Sequence, residues 1–116
     1  MERRQYPRVE SIHLVSLGDV QGESTIGVAR TLEISKGGAL LEMAQPYPLH
    51  TVFQLDLALG GDLLTVRAEV RNIQAADDGT YRVGIRFAKL EPGDMERLDR
   101  HLEAKLAERD ERTGTR

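Results

Sequence analysis

Residues 11–88 alternate between apolar and polar side chains in short runs, and clusters of glycine, proline and aspartate separate the runs. Alternation with a period of two is typical of strands that bury one face, and such clusters are typical of turns. The pattern predicts six strands, at residues 11–17, 25–35, 39–43, 51–59, 64–71 and 81–87. Six one-sided strands favour a closed antiparallel barrel, because closure removes exposed strand edges.

The period changes after Pro92, and Asp94 suits the start of a helix. Apolar residues then recur three or four positions apart, as in one stripe of an amphipathic helix: Met95, Leu98, Leu102 and Leu106. We expect this stripe to plug an end of the barrel or to pack on its side. The predicted fold is therefore all-β, a six-stranded antiparallel barrel followed by a C-terminal α-helix.

The chain has 116 residues, which fits one domain. Within it we expect a flexible arm at residues 1–10, the barrel and helix at 11–110, and a disordered tail at 111–116. The chain contains no cysteine, which excludes disulfides, thiolate zinc sites and cysteine nucleophiles. Because no apolar run is long enough for a signal peptide or a membrane span, we expect a cytoplasmic protein.

The formal net charge of −3 conceals a basic N-terminus, where Arg3, Arg4 and Arg8 outnumber Glu2. An acidic chain repels the nucleic-acid polyanion, so a small anion held by this basic arm is favoured over nucleic acid. A small barrel that binds nucleic acid through the arm is retained as a third interpretation. The shortage of aromatic residues argues against it, since single-strand binders stack bases on exposed rings.

Arg4 and Arg8 form the first candidate motif, with three residues between them, of which Pro7 restricts the backbone. A guanidinium group can bind phosphate oxygens or a purine edge through two hydrogen bonds, and its flat face can stack on a base. The alternative interpretation is a solvated basic terminus.

The second candidate motif spans residues 32–40. Ile34 should point into the core, which places Glu33 and Ser35 together on the outer face. Gly37 and Gly38 tolerate a positive φ and let the backbone turn and approach a ligand closely. The alternative is an ordinary β-turn.

Together, the two motifs resemble the PilZ domain family, whose members bind the bacterial second messenger cyclic di-GMP. The family pattern is Arg-x-x-x-Arg in an N-terminal arm, followed by (Asp or Asn)-x-Ser-x-x-Gly on the barrel. Arg4 and Arg8 match the first part, and Ser35 and Gly38 match the second. Residues 81–87 resemble the late Gly-(Ile/Val)-x-Phe strand of the same family.

The resemblance implies that the arm folds over the barrel, so that Arg4 and Arg8 clamp phosphate and guanine while Glu33 and Ser35 contact the ligand from below. Arg3 adds a contact that is compatible with an intercalated pair of ligands instead of one molecule. The implied ligand-binding residues are Arg3, Arg4, Arg8, Glu33, Ser35, Gly37, Gly38 and Arg86. Glu33 departs from the family pattern, which has Asp or Asn at this position.

The implied output is a changed contact with an unidentified effector protein, in motility or exopolysaccharide regulation. The departure at Glu33 leaves a second interpretation open, a nucleotide-independent PilZ-like adaptor. We expect that the protein is not an enzyme and uses no cofactor, because no nucleophile has an evident nearby base. No metal site is expected either, since His13, His50 and His101 lie on different predicted elements without ligand spacing.

Overall fold

The computed structural model of the protein describes residues 9–21, 23–88 and 90–114, with side chains up to residue 108. Within these residues the chain forms seven strands and one helix. They are β1 (Val9–Glu10), β2 (Leu14–Gly18), β3 (Thr25–Ile34), β4 (Gly38–Met43), β5 (Val52–Leu59), β6 (Asp62–Ala75), β7 (Tyr81–Phe87) and α1 (Pro92–Gly114).

The strands form one antiparallel sheet in the order β1-β3-β2-β5-β6-β7-β4, and β4 also pairs with β3. This last pairing closes strands β2 to β7 into a ring, so the predicted six-stranded antiparallel barrel is confirmed. Strand β1 is an addition to the prediction. It pairs with the end of β3 through Val9–Ile34 and Glu10–Glu33, on the edge of β3 that β2 also uses.

The inward-facing residues of the barrel form one apolar core. On β5 the alternation predicted from the sequence is confirmed, because Phe53, Leu55, Leu57 and Leu59 are all buried. Ile34 is also fully buried, as predicted. Folding removes these side chains from water, and the burial of each contributes about 1.5–3 kcal/mol to the stability of the fold.

Helix α1 packs against β1, β5 and β6 through Leu98 and Leu102, which are buried. Met95 was predicted to share this stripe but is 50% exposed, because the helix meets the core only from Leu98 onward. Two boundaries differ from those expected from the sequence, since β1 lies within the expected arm and α1 extends to Gly114. Among the described residues, no helix has the length and hydropathy that crossing a membrane requires.

A buried threonine fixes the segment between β1 and β2 to the barrel. The Thr31 hydroxyl donates to the carbonyl of Ser11 and accepts from the amide of His13 at 2.9 Å. Two backbone bonds support it, from Ser11 N to the Leu32 carbonyl (3.1 Å) and from Thr31 N to the His13 carbonyl (2.8 Å). The chain that leads from the N-terminal arm into β2 is therefore held on β3.

The same segment meets helix α1 through two histidines. The Ser11 hydroxyl lies 2.8 Å from Nε2 of both His13 and His101, and the two rings are edge to face with centroids 5.4 Å apart. These two histidines lie on different elements, as expected from the sequence, and the fold brings them together because α1 packs close to residues 11–13. The described residues contain no cluster of three or more side chains that could hold a metal ion.

This cluster predicts a pH-dependent stability. Burial lowers the pKa of both His13 and His101 from 6.5, and the neighbouring Lys105 lowers both further; His13 also lowers that of His101, which Glu108 opposes. The unfolded chain then binds more protons than the folded one below pH 6.5. The stabilising contribution is therefore complete above that pH and is lost as the pH falls toward the lowered pKa values.

Urea denaturation between pH 5 and pH 8, a range chosen to bracket about 6.5, tests this expectation. The double variant His13→Asn/His101→Asn should lose less stability on acidification than the wild-type protein. His50→Asn removes an exposed histidine outside the cluster and serves as the control. Equal slopes for the wild-type protein and the double variant would contradict the prediction.

Candidate ligand-binding site

The turn between β3 and β4 is held by its own serine. The amide of Ser35 donates to the Gly38 carbonyl at 2.9 Å, and the amide of Gly37 donates to the Ser35 hydroxyl oxygen at 3.2 Å. The Ser35 hydroxyl itself donates to the Gly38 carbonyl at 3.4 Å. These bonds orient the hydroxyl and make the turn compact, while the amide of Phe87 donates to the Gly37 carbonyl and ties the turn to β7.

Gly38 is required by a close approach of two strands. It pairs with Arg86, and a Cβ atom built on Gly38 would overlap the carbonyl oxygen of Ile85. The same atom would lie 3.0 Å from the carbonyl carbon of Ile85 and 3.1 Å from Cα of Arg86. Gly37 and Gly38 were predicted to serve the turn through a positive φ, but neither adopts one. For Gly38 the reason for glycine is this contact with β7.

The strand pairing brings several predicted site residues together beside this turn. Gly38, Arg86 and Glu69 are successive cross-strand neighbours on β4, β7 and β6. A second set of neighbours, which we name the outer row, consists of Glu33, Leu40, Gly84 and Asn72 on β3, β4, β7 and β6. Arg86 and Glu33, far apart in sequence, therefore lie on one face.

Arg3, Arg4 and Arg8 lie outside the described residues. The chain that follows them enters the sheet at a defined place, because Val9 pairs with Ile34 and Glu10 pairs with Glu33. The basic motif is therefore joined to the barrel directly beside the second motif.

The Glu69 carboxylate lies close to several basic side chains on this face. Its carboxylate lies 2.9 Å from Nδ1 of His50, 3.8 Å from Arg71 and 3.9 Å from Arg86. The hydrogen bond from His50, with the charges of Arg71 and Arg86, lowers the pKa of Glu69. One carboxylate thus faces two guanidinium groups, so this group of side chains retains one positive charge that can meet an anion.

His50 adopts a left-handed backbone, with φ of 72°, next to this group. Its amide donates to the carbonyl of Val70 at 2.8 Å, and its ring reaches Glu69, so both ends of the residue are held by β6. A positive φ is uncommon in residues other than glycine, although asparagine, aspartate and histidine adopt it more often than the rest, and it is kept where the surroundings enforce it.

The turn also contacts helix α1. Lys36, between Ser35 and Gly38, lies 3.4 Å from the Asp99 carboxylate. Both side chains are largely exposed, so the pair adds little stability. The ion pair does show that the helix lies next to the turn.

A sequence model of the PilZ domain matches residues 2–104. The chain belongs to the PilZ domain family. The matched range contains both the Arg4–Arg8 motif and the turn at Ser35 to Gly38. No functionally curated protein matches the chain by sequence.

Solved structures share the fold of this PilZ domain. The PilZ domain of Escherichia coli YcgR with cyclic di-GMP is 20% identical, with a TM-score of 0.74 over 99% of this chain and 100% of that one. The MrkH–cyclic di-GMP complex of K. pneumonia is 19% identical, with a TM-score of 0.77 over 97% of this chain and 56% of that one. The Bacillus subtilis inhibitor of motility MotI/DgrA is 20% identical, with a TM-score of 0.76 over 94% of this chain and 54% of that one.

This chain therefore spans about half the length of MrkH and MotI/DgrA and the whole of the YcgR domain. At such identities the likeness shows a common fold.

Sequence reasoning missed three residues of this face in the PilZ domain, namely Glu69 as the partner of Arg86, Asp99 as the partner of Lys36, and Asn72. The first two depend on contacts between distant elements, and no local pattern reports them. Asn72 did leave a signal. It continues the inward phase of Val66, Ala68 and Val70, and a polar residue at an inward position indicates a bulge.

Proposed function

We propose that this PilZ domain is a receptor for cyclic di-GMP that binds the nucleotide without chemical turnover. The observation that carries the proposal is the register of β1 and β7 against the turn. It joins the Arg4–Arg8 motif to the barrel beside Glu33 and sets Arg86 against Gly38. Family membership supports the ligand class, as do the structures of the YcgR PilZ domain and of MrkH, which both contain cyclic di-GMP.

The charges on the face fit the two chemical parts of the ligand. Arg4 and Arg8 are assigned to phosphate and guanine, and Arg86 adds positive charge at the edge of the turn. Arg3 is assigned a further contact. Glu33 is a poor neighbour for phosphate, but its carboxylate can accept hydrogen bonds from the N–H groups of a guanine edge.

Glu33 has one methylene more than the Asp of the family pattern. Its extra rotamer freedom costs roughly a few tenths to 1 kcal/mol when the side chain is ordered. We therefore expect an affinity below that of an otherwise identical domain with Asp at this position.

The proposed signal to an effector protein arises from a change in the N-terminal arm. When Arg4 and Arg8 close over the ligand, the arm becomes ordered and the surface around the turn changes, which alters contact with an effector protein in the cytoplasm. Motility and exopolysaccharide production are the processes we propose for that effector.

Calorimetric titration with cyclic di-GMP tests the receptor function. The wild-type protein should bind, and Arg4→Ala and Arg8→Ala should each weaken binding about tenfold or more, because each removes charge-assisted hydrogen bonds. Arg100→Ala, an exposed arginine on α1 that pairs with Asp62, is the matched control. GTP serves as the control ligand, and a ratio near two ligands per chain would indicate an intercalated pair.

Absence of binding by the wild-type protein at high concentration would reject the receptor function. The nucleotide-independent adaptor would then be the remaining proposal, with Glu33 as its structural basis. Binding that survives both arginine substitutions would also contradict the assignment of the arm.

A further inference from the structure

A β-bulge in β6 places a second arginine beside Arg86. The pairing of β6 with β7 shifts between Val70 and Asn72, which leaves Arg71 as the extra residue. Arg71 lies two positions after Glu69, and Glu69 pairs with Arg86 on β7. Bulges are frequent beside binding sites because they redirect a side chain. The fold thereby brings two arginines from different strands to one carboxylate.

Both guanidinium groups approach the same oxygen atom of Glu69. Nη1 of Arg71 lies 3.8 Å from Oε1 and Nη2 of Arg86 lies 3.9 Å from it. These distances are too long for hydrogen bonds, so within the described part of the chain the N–H donors of both arginines remain available. An acceptor from outside the chain can therefore bind them.

The carboxylate is the most buried of these three charged groups. The Glu69 side chain is 26% exposed, whereas Arg71 is 46% exposed and Arg86 is 63% exposed. An anion that arrives from solvent therefore meets the guanidinium groups before it meets the carboxylate. Because both arginines approach one oxygen atom, they are close enough for a single phosphate group to contact both.

His50 holds the carboxylate in this position. Its Nδ1 lies 2.9 Å from Oε2 of Glu69, which is the oxygen that the arginines do not approach. Its amide donates to the carbonyl of Val70, the residue between Glu69 and Arg71, and its φ is 72°. Strained backbone conformations are concentrated at ligand-binding sites. The strained residue here contacts the group that positions the two arginines.

We infer that Arg71 and Arg86 together bind the phosphate of cyclic di-GMP that the N-terminal arm does not hold, an assignment that rests on the proposed receptor function. The ligand is a ring with two phosphodiester groups, each of which carries one negative charge. The arm joins the barrel at β3, whereas the two arginines lie on β7 and β6, two and three strands farther along the sheet. Those strands lie about 10–14 Å from β3, so long arginine side chains can reach the ligand from both sides.

Calorimetric titration of Arg71→Ala with cyclic di-GMP tests the assignment. We expect the affinity to fall about tenfold, because charge-assisted hydrogen bonds to one phosphate are lost. The affinity of this variant should also depend less on the NaCl concentration than that of the wild-type protein, since one ion pair with the ligand is absent. Arg71→Lys should recover part of the affinity, because it restores the charge without the planar fork of donors.

Arg67→Ala is the matched control. Arg67 is an exposed arginine on β6, two positions before Glu69, and its guanidinium group reaches the carbonyl of Val20 at 3.5 Å. Its removal takes the same charge from the same strand and should change the affinity by no more than about twofold, because a charge without ligand contact is screened by salt. Thermal melts of all variants show whether the measured differences come from the folded domain.

A double variant tests whether the two arginines share one phosphate. Arg71→Ala/Arg86→Ala should weaken binding by less than the product of the two single effects, because each arginine depends on the other to hold the same group. Independent effects that multiply would show that the arginines contact different parts of the ligand, which would overturn the shared site.

The failure of this assignment can be distinguished from the failure of the receptor function. If the wild-type protein binds cyclic di-GMP and Arg71→Ala matches Arg67→Ala in affinity and in salt dependence, Arg71 makes no contact with phosphate and the receptor function stands. If the wild-type protein does not bind cyclic di-GMP, both the assignment and the receptor function fail.

Discussion

Gly38→Ala is expected to lower the free energy of unfolding by about 3 kcal/mol, the upper end of the usual cost of overpacking. The added methyl group would overlap the Ile85 carbonyl and crowd Cα of Arg86, and both belong to the backbone of β7. Backbone atoms of a paired strand cannot move aside like the end of a flexible side chain. Relief of the overlap therefore requires β4 and β7 to separate at Gly38.

Urea denaturation measures this effect, and Gly93→Ala supplies the matched control. A Cβ atom on Gly93 would meet only the end of the Arg97 side chain, at 3.6 Å, within the helix. That substitution should leave the stability unchanged or raise it, because alanine favours helix more than glycine does. Titration of folded Gly38→Ala should also show weaker cyclic di-GMP binding, since the turn is displaced. Wild-type stability for this variant would contradict the contact with β7.

Thr31→Val is expected to lower the free energy of unfolding by about 2–3 kcal/mol. The two side chains have the same shape, so the core remains filled, but the Ser11 carbonyl and the His13 amide lose their hydroxyl partner. Thr31 is completely buried, and water cannot replace the lost bonds unless the segment at residues 11–13 lifts from β3. That movement would also disturb the approach of His13 to helix α1.

Thr65→Val is the comparison for this prediction. Thr65 is exposed on β6 and donates to Asp56 at 2.8 Å, so its loss should change stability by no more than about 0.5 kcal/mol. Hydrogen exchange gives a second readout, because the amide of His13 should exchange faster in Thr31→Val than in the wild-type protein. Unchanged stability and unchanged exchange would together contradict the proposed anchoring of the segment.

The barrel was predictable because most of its strands bury one face and follow a strict alternation. β7 has the predicted bounds, and β5 begins one residue later than predicted. The prediction failed where the period breaks. β6 continues to Ala75, beyond the predicted end, because the bulge before Asn72 interrupts the alternation.

Two segments, one very short and one held by side-chain hydrogen bonds, show no periodic pattern from which their structure could be predicted. β1 contains only two residues, too few to show a period, and its place in the sheet depends on pairing with β3. Residues 11–13 were predicted as strand, yet β2 begins at Leu14, because bonds to Thr31 and Leu32 hold the preceding residues. In both cases a tertiary contact decides the local structure.

The sequence located the parts of the candidate site that lie within one motif, including Ser35 and Gly38 around the turn. Arg86 was among the predicted residues only because it lies beside Gly84 in residues 81–87, which resemble a strand of the family. The pairing of Arg86 with Gly38, and the Glu69 carboxylate beside it, follow from the register of three strands. Such relationships need the folded sheet, because the partners are separated by long stretches of chain.

The two-residue strand β1 also limits the length of the chain that connects Arg4 and Arg8 to the barrel. Because Val9 is fixed on β3, Arg4 lies five residues from a stationary point, and its Cα atom can lie no farther than about 18 Å from it. A group confined to so small a volume has an effective concentration in the millimolar range or above at the barrel face. In the proposed receptor the two arginines would act as an intramolecular second binding partner, whose contribution would depend on the few residues that join them to the sheet.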